Sequence, residues 1–265
     1  MTQRAAALCA IALAAAGALL YALVAFEVIA QPQHPYFGTD LYNAYYYRLL
    51  EGRFDLPMRM LQSEGHYTAD GVGIMYHGVA PLLTRVVLDP FVTLHIFPTA
   101  AFSVWLWAVV GTVFYHLSLF QVMAKYIDDA TARLRWTLIV GVAIWLCSPG
   151  LFLSANPVLY HEAIGIAYAA MSIAVYLMLR CAVFGMPVRY VLIPLAILAG
   201  VLIHSRPHLA VGLYVGTVLL LAQAYLREAE RVLVPGLISL AILGVMALSY
   251  LQLNTLRFGS ATAYH

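Results

Sequence analysis

Asp40, the pair His161 and Glu162, and the HSRPH run from His204 to His208 set ionisable groups beside long apolar stretches. Asp40 follows Gly38 and Thr39 and opens a segment with helical spacing. It reads either as a helix cap, worth about 1 kcal/mol at the positive helix end, or as a general base desolvated enough to raise its pKa toward the working pH. Glu162 lies one turn inside an apolar run. A carboxylate suits that helix end, yet an ionisable group inside a span is also a candidate for function. His161 beside it either donates a hydrogen bond or sits at the interface. Arg206 joins two apolar runs with no other polar cushion, so it calls for an anion: a phosphate, a headgroup or a facing carboxylate. A guanidinium suits bidentate phosphate contact. His204 and His208 have the i, i+4 spacing of a metal pair, but Pro207 breaks the helix between them. Tyr42, Tyr45, Tyr46 and Tyr47 read as an interfacial aromatic belt or as a platform for sugar faces. No GxSxG, P-loop, HExxH or CxxCH motif is present, so hydrolase, ATPase and haem chemistry have nothing behind them. No cofactor is implied, and a divalent metal has no supporting motif.

These residues must be positioned by a membrane fold. With 63% hydrophobic and 10% charged residues and a mean hydropathy of +0.86, the chain lies outside the range of soluble domains. Apolar runs of about 20 residues recur, each long enough for a hydrocarbon core about 30 Å thick. The runs are continuous rather than alternating, so helices and not barrel strands are expected. The fold class is all-α polytopic membrane protein, with seven spans near 5–29, 98–124, 136–154, 158–180, 188–204, 208–226 and 232–253. The first run extends too far for a signal peptide and reads as a retained span. Arg4 and the links after the second, fourth and sixth spans carry eight basic residues, against Arg206 and Arg257 in the short links opposite. The positive-inside rule then makes the amino terminus cytoplasmic. The expected location is the bacterial inner membrane.

Between the first two spans, residues 31–96 form a long extracytoplasmic loop holding six of the twelve acidic residues: Asp40, Glu51, Asp55, Glu64, Asp70 and Asp89. It opens with a juxtamembrane helix capped by Thr39 or Asp40, with Leu41, Tyr45, Leu49 and Leu50 on one face and Gly52 at its end. Its second half, MYHGVAPLLTRVVLDPF, reads as an interfacial helix leading into the second span. Cys9, Cys147 and Cys181 lie in or beside spans and form no disulfide framework. The net charge of +2 and the scattered basic residues speak against a nucleic-acid partner. There is no internal repeat and no second domain, so residues 1–265 form one transmembrane domain.

In order, these segments resemble the N-terminal half of a GT-C-type glycosyltransferase that uses a polyprenyl-phosphate sugar donor. FGTDLYNAYYYRLLEGRF resembles that family's first extracytoplasmic loop, and GIMYHGVAPLLTRVVLDPF the lead into its second span. VLYHEAIGIAYA resembles an acidic motif opening a later span, LAGVLIHSRPHLAVGL a Gly-to-Arg-Pro hairpin, and LNTLRFGSATAYH a segment that continues into further sequence. The resemblance implies that Asp40 is the base that deprotonates an acceptor hydroxyl. Arg206, with His208 or Arg257, neutralises the leaving phosphate. Glu162, with His161 and Tyr46, contacts acceptor or sugar. Family members are longer, so the chain is expected to be the N-terminal part of a larger protein. The expected partners are the lipid-linked sugar donor, a glycan, lipid or protein acceptor, and membrane lipids. Two other classes stand beside this reading: a transporter or lipid carrier, and a non-catalytic membrane subunit.

Overall fold

The structure, a computed structural model, describes residues 3–29, 40–61, 64–67 and 72–261. Gly38, Thr39 and Asp70 lie outside them. The apolar runs fold as helices because lipid offers the backbone no partners. They are α1 (Gln3–Ala25), then, in the interlude between the first two spans (residues 31–96), α2 (Leu41–Leu50), α3 (Met58–Leu61) and α4 (Leu82–Leu88). Beyond it come α5 (Thr99–Tyr126), α6 (Ala130–Cys147), α7 (Pro149–Ser154), α8 (Leu159–Ala182), α9 (Leu192–Ile203) and α10 (Pro207–Phe258). Among the described residues five helical stretches are long and apolar enough to cross a membrane: α1, α5, α6 with α7, α8, and α10. The chain is an all-α membrane protein.

Small residues let these helices close on one another. Ala163, Ala167, Ala170 and Ala174 form a buried stripe along α8, and Gly111 of α5 sits where a Cβ would meet the Tyr168 ring. Close backbone approach of this kind replaces hydrophobic driving force inside a bilayer. Trp105 and Trp107 turn toward neighbours, donating to the Ala18 carbonyl and to Thr84 Oγ1, each at 3.0 Å. Tyr21 of α1 donates to the Trp145 carbonyl at 2.9 Å beside Ser148 Oγ at 3.1 Å. Ser148 and Pro149 divide the expected third span into α6 and α7, because proline has no N–H for the preceding turn.

At 52 residues α10 would extend about 78 Å if straight. It breaks at Glu228, whose φ of −144° and ψ of 52° are not helical. The two arms run back along each other: Tyr214 donates to the Leu243 carbonyl at 3.2 Å, and Leu221 packs on Gly236. Pro207 and Arg257 are thereby returned to one end of the bundle.

The interlude is a small folded layer rather than a lone surface helix. Three short strands, β1 (Asp55–Leu56), β2 (Gly65–Tyr67) and β3 (Gly73–Met75), form an antiparallel sheet in the order β1-β3-β2, which the sequence reading did not anticipate. The aromatic-belt reading of the tyrosines is corrected at two positions. Tyr42 and Tyr45 are fully buried, packing with Leu41, Leu56, Leu61, Met75 and Leu159. Leu50, expected on the same face, is exposed, because nine residues along a helix of about 3.6 residues per turn carry it to the side opposite Leu41.

Candidate anion-binding cavity

The HSRPH tip joins α9 to α10, with Arg206 as the residue before the helical Pro207. Three backbone-level contacts fix it. Ser205 Oγ donates to the Ala163 carbonyl at 2.6 Å, and the Ala80 N–H donates to the His204 carbonyl at 3.0 Å. Gly78 lies so close that a Cβ would stand 2.5 Å from the carbonyl oxygens of both His204 and Ser205. Only glycine lets the two backbones meet there.

Where the interlude meets this tip, a cavity of about 200 Å³ is lined by Tyr76, His77, Gly78, Arg206, His208 and Arg257, with further residues of α8 and α10. Arg257 is 5% exposed. It donates through Nη2 to the His77 carbonyl at 3.2 Å and lies over the rings of Phe258 and Tyr45 at 4.7 and 5.8 Å. The Nε atoms of Arg206 and Arg257 are both buried without a partner. Neither guanidinium has a carboxylate within ion-pair distance among the described residues. A buried cation with no counter-charge costs several kcal/mol. Arg257 is in that position, Arg206 is half-buried beside it with its Nε enclosed, and two forked guanidinium donors in one cavity are of the type that suits a phosphoryl group.

Tyr76 and His77, which also line the cavity, are held by a carboxylate behind them. Tyr76 donates to Glu64 Oε2 at 2.7 Å, and His77 Nε2 lies 3.2 Å from the same oxygen. Tyr160 also bonds Glu64, and its ring meets that of His77 edge-on at 4.8 Å. Burial pushes the His77 imidazole down to about 4, against the pull of Glu64. Burial also works to raise the Glu64 carboxyl, but hydrogen bonds from Tyr160, Tyr76 and His77 outweigh it and hold the group below its ordinary value. At neutral pH the pair is therefore a carboxylate and a neutral imidazole whose Nε2 carries the proton.

A second polar cluster lies outside the cavity. Arg85 and Glu162 are both fully buried and form a bidentate pair, Arg85 Nη1 to Glu162 Oε2 and Nη2 to Oε1. Arg85 Nε donates to Asn43 Oδ1 at 3.0 Å, Asn43 Nδ2 donates to the Leu94 carbonyl at 3.0 Å, and the guanidinium lies 5.4 Å from the Tyr42 ring. These contacts rivet α2 and α4 of the interlude to α8.

The sequence-predicted residues thus divide. Arg206, His208 and Arg257 come together in the cavity. Glu162 does not line it, since both its oxygens are occupied by Arg85, although its neighbour Ala163 does. His161 bonds the Asn156 carbonyl through Nδ1 and packs on Phe152. Tyr46 donates to Asp89 Oδ2 at 3.1 Å. Asp40 is exposed just before α2, makes no side-chain cap bond and is not among the cavity's lining residues. Its helix is tied to the cavity wall all the same, since Tyr42 donates to the Gly78 carbonyl at 2.9 Å. His204 bonds Ser249 at 2.9 Å rather than pairing with His208. No group of three or more metal-ligating side chains occurs among the described residues. The sequence reading missed Glu64, His77 and Arg85. Arg85 sat in an apolar run where its charge was itself a signal. A scan against known protein families, a search of characterised proteins and a search of solved structures each return no match for this chain.

Proposed function

We propose that this chain carries the donor-phosphate site of an integral-membrane glycosyltransferase of the GT-C type, which moves a sugar from a polyprenyl-phosphate donor to an extracytoplasmic acceptor. The observation that carries the reading is the convergence of Arg206, half-buried, and Arg257, buried, on one cavity, each with a buried, unpartnered Nε and neither with a carboxylate in ion-pair distance among the described residues. In this reading the two arms of α10 and the shorter α9 join the four other long helices as crossings, and the positive-inside rule applied to the basic links sets the interlude on the extracytoplasmic side. In the bacterial inner membrane that face lacks nucleotide sugars, which favours a lipid-linked donor.

In this reading Asp40 takes the proton of an acceptor hydroxyl. The acceptor oxygen bonds the anomeric carbon as the carbon–phosphate oxygen bond breaks, with inversion. The electron pair leaves on the polyprenyl phosphate, whose charge Arg206 and Arg257, with His208 beside them, neutralise. Catalysis is then positioning and electrostatics. Glu162 contributes through Arg85, by fixing the interlude over the cavity.

The test is transfer of radiolabelled sugar from polyprenyl-phosphate donors by membranes carrying the protein. Arg206→Gln and Arg257→Gln are each expected to lose at least tenfold, and Asp40→Asn to abolish transfer while leaving donor binding intact. Unchanged transfer in both arginine variants sinks the reading. The same guanidiniums also favour a carrier of lipid phosphates. That alternative is distinguished by substrate movement in proteoliposomes with no new glycosidic bond.

A further inference from the structure

The two walls of the cavity differ in hydrogen-bond chemistry. Arg206 and Arg257 supply only donors, whereas Tyr76 and His77 also line the cavity and are held from behind by the Glu64 carboxylate, which does not line it. Because the His77 Nε2–H donates a hydrogen bond to the Glu64 carboxylate, the Nδ1 of the same ring is the acceptor nitrogen. An acceptor of this kind repels a phosphate oxygen and attracts an O–H. The wall is also held in place: the His77 carbonyl receives Arg257 Nη2 at 3.2 Å, and Tyr76 and Tyr160 brace the rings around Glu64. A lone phosphate satisfies the cationic wall and leaves the other unmatched. A phosphate bearing a polyhydroxylated group satisfies both, with the Tyr76 ring available as an apolar floor.

We propose that the Glu64–His77 pair reads a hydroxyl of the group esterified to the phosphate, so that the cavity selects a glycosyl phosphodiester over a phosphodiester of equal charge without the sugar. This rests on the transferase reading and adds to it a specificity determinant that the family resemblance did not assign. His77 is the contacting residue. Glu64 is a positioning residue, since it acts by fixing the His77 tautomer.

The test measures affinity of the purified full chain, in detergent micelles, for polyprenyl methyl phosphate and for the glucosyl, mannosyl and arabinosyl phosphodiesters of the same lipid. All four probes carry one negative charge. The parent protein is expected to bind at least one glycosyl ester about tenfold more tightly than the methyl ester, the worth of one well-made hydrogen bond of about 1.4 kcal/mol. His77→Phe is expected to erase that preference by weakening the glycosyl esters about tenfold more than the methyl ester, His77→Asn to restore part of it, and Arg206→Gln to weaken all four probes alike. Glu64→Gln, which keeps the side-chain volume, is expected to lower the preference several-fold, and it stands in if His77→Phe fails to fold. Retention of the full preference in His77→Phe and Glu64→Gln overturns the assignment, as does a parent protein that binds all four probes equally. A parent protein that binds none of them overturns the donor-phosphate reading as well.

Discussion

Replacing Glu162 by glutamine is the sharpest perturbation of the frame around the cavity. In the native chain both Glu162 oxygens accept from Arg85, and neither residue has any exposure to solvent. Glutamine puts an NH₂ where one oxygen accepted, so a donor faces a donor and the guanidinium keeps its charge without an anion. Asn43 and the Pro81 carbonyl remain as dipolar partners only. Removing one member of a buried ion pair costs about 3–5 kcal/mol. At about 2–4 °C per kcal/mol for a chain of this size, the melting temperature should fall by roughly 10 °C. Thermal unfolding in detergent, followed as the loss of the monodisperse peak in size-exclusion chromatography, reads this directly. The decisive comparison is the double variant Arg85→Met with Glu162→Met, which removes both charges and fills the space. It should recover most of the loss, giving a coupling of about 2–3 kcal/mol between the sites. A Glu162→Gln protein that melts within about 2 °C of the parent refutes this account, and so does a double variant that loses the sum of the two single ones.

Gly78→Ala should be far more costly than a surface glycine substitution, since its methyl would stand 2.5 Å from two backbone carbonyl oxygens that cannot rotate aside. A loss of about 1–3 kcal/mol is expected, together with at least tenfold weaker binding of lipid phosphate, and normal values for both would show that the interlude does not seat on the HSRPH tip. His77 makes stability depend on pH in a defined direction. Its folded value of about 4 lies below its ordinary 6.5, so the unfolded chain binds a proton there that the folded chain does not. Stability should therefore be complete above about pH 6.5 and decline by on the order of 3 kcal/mol as pH falls to about 4. Glu64, held below its ordinary value, adds loss in the same direction at lower pH. Melting curves of the parent and of His77→Phe across that range test this, and parallel curves would contradict it.

The helices were legible because hydropathy and proline act locally. The runs that became α1, α5 and α8 announce themselves in composition, and Gly52 ended α2 where a left-handed residue was needed. The charged link between Arg227 and Arg231 marked the turn in α10, although the helix there yields at Glu228 alone. What periodicity cannot express is pairing across distance. Glu162 invited a functional reading because its partner lies 77 residues earlier, in a run that looked like membrane filler. The strands at 55–56, 65–67 and 73–75 are too short to leave an alternating pattern, and they exist because β3 has a neighbour on each side. Tyr42 and Tyr45 illustrate the same point: their burial depends on Leu61, Met75 and Leu159, which no local window contains. The Glu64–His77 pair escaped notice because each looked like one more scattered polar residue, while the Arg206 to Arg257 convergence required the turn in α10.

The separation between Arg85 and Glu162 also sets an order of events during synthesis. Their side chains are 77 residues apart in the chain. At the usual 5–20 residues per second of translation, Arg85 waits roughly 4–15 s before its anion has been made. Until then, burying Arg85 would strand a bare cation, a cost of several kcal/mol that favours leaving it hydrated. Insertion of α8 then delivers the counter-charge and lets the outer layer dry. The Arg85–Glu162 pair thus ties the packing of α2 and α4 to the synthesis of α8, 77 residues later in the chain.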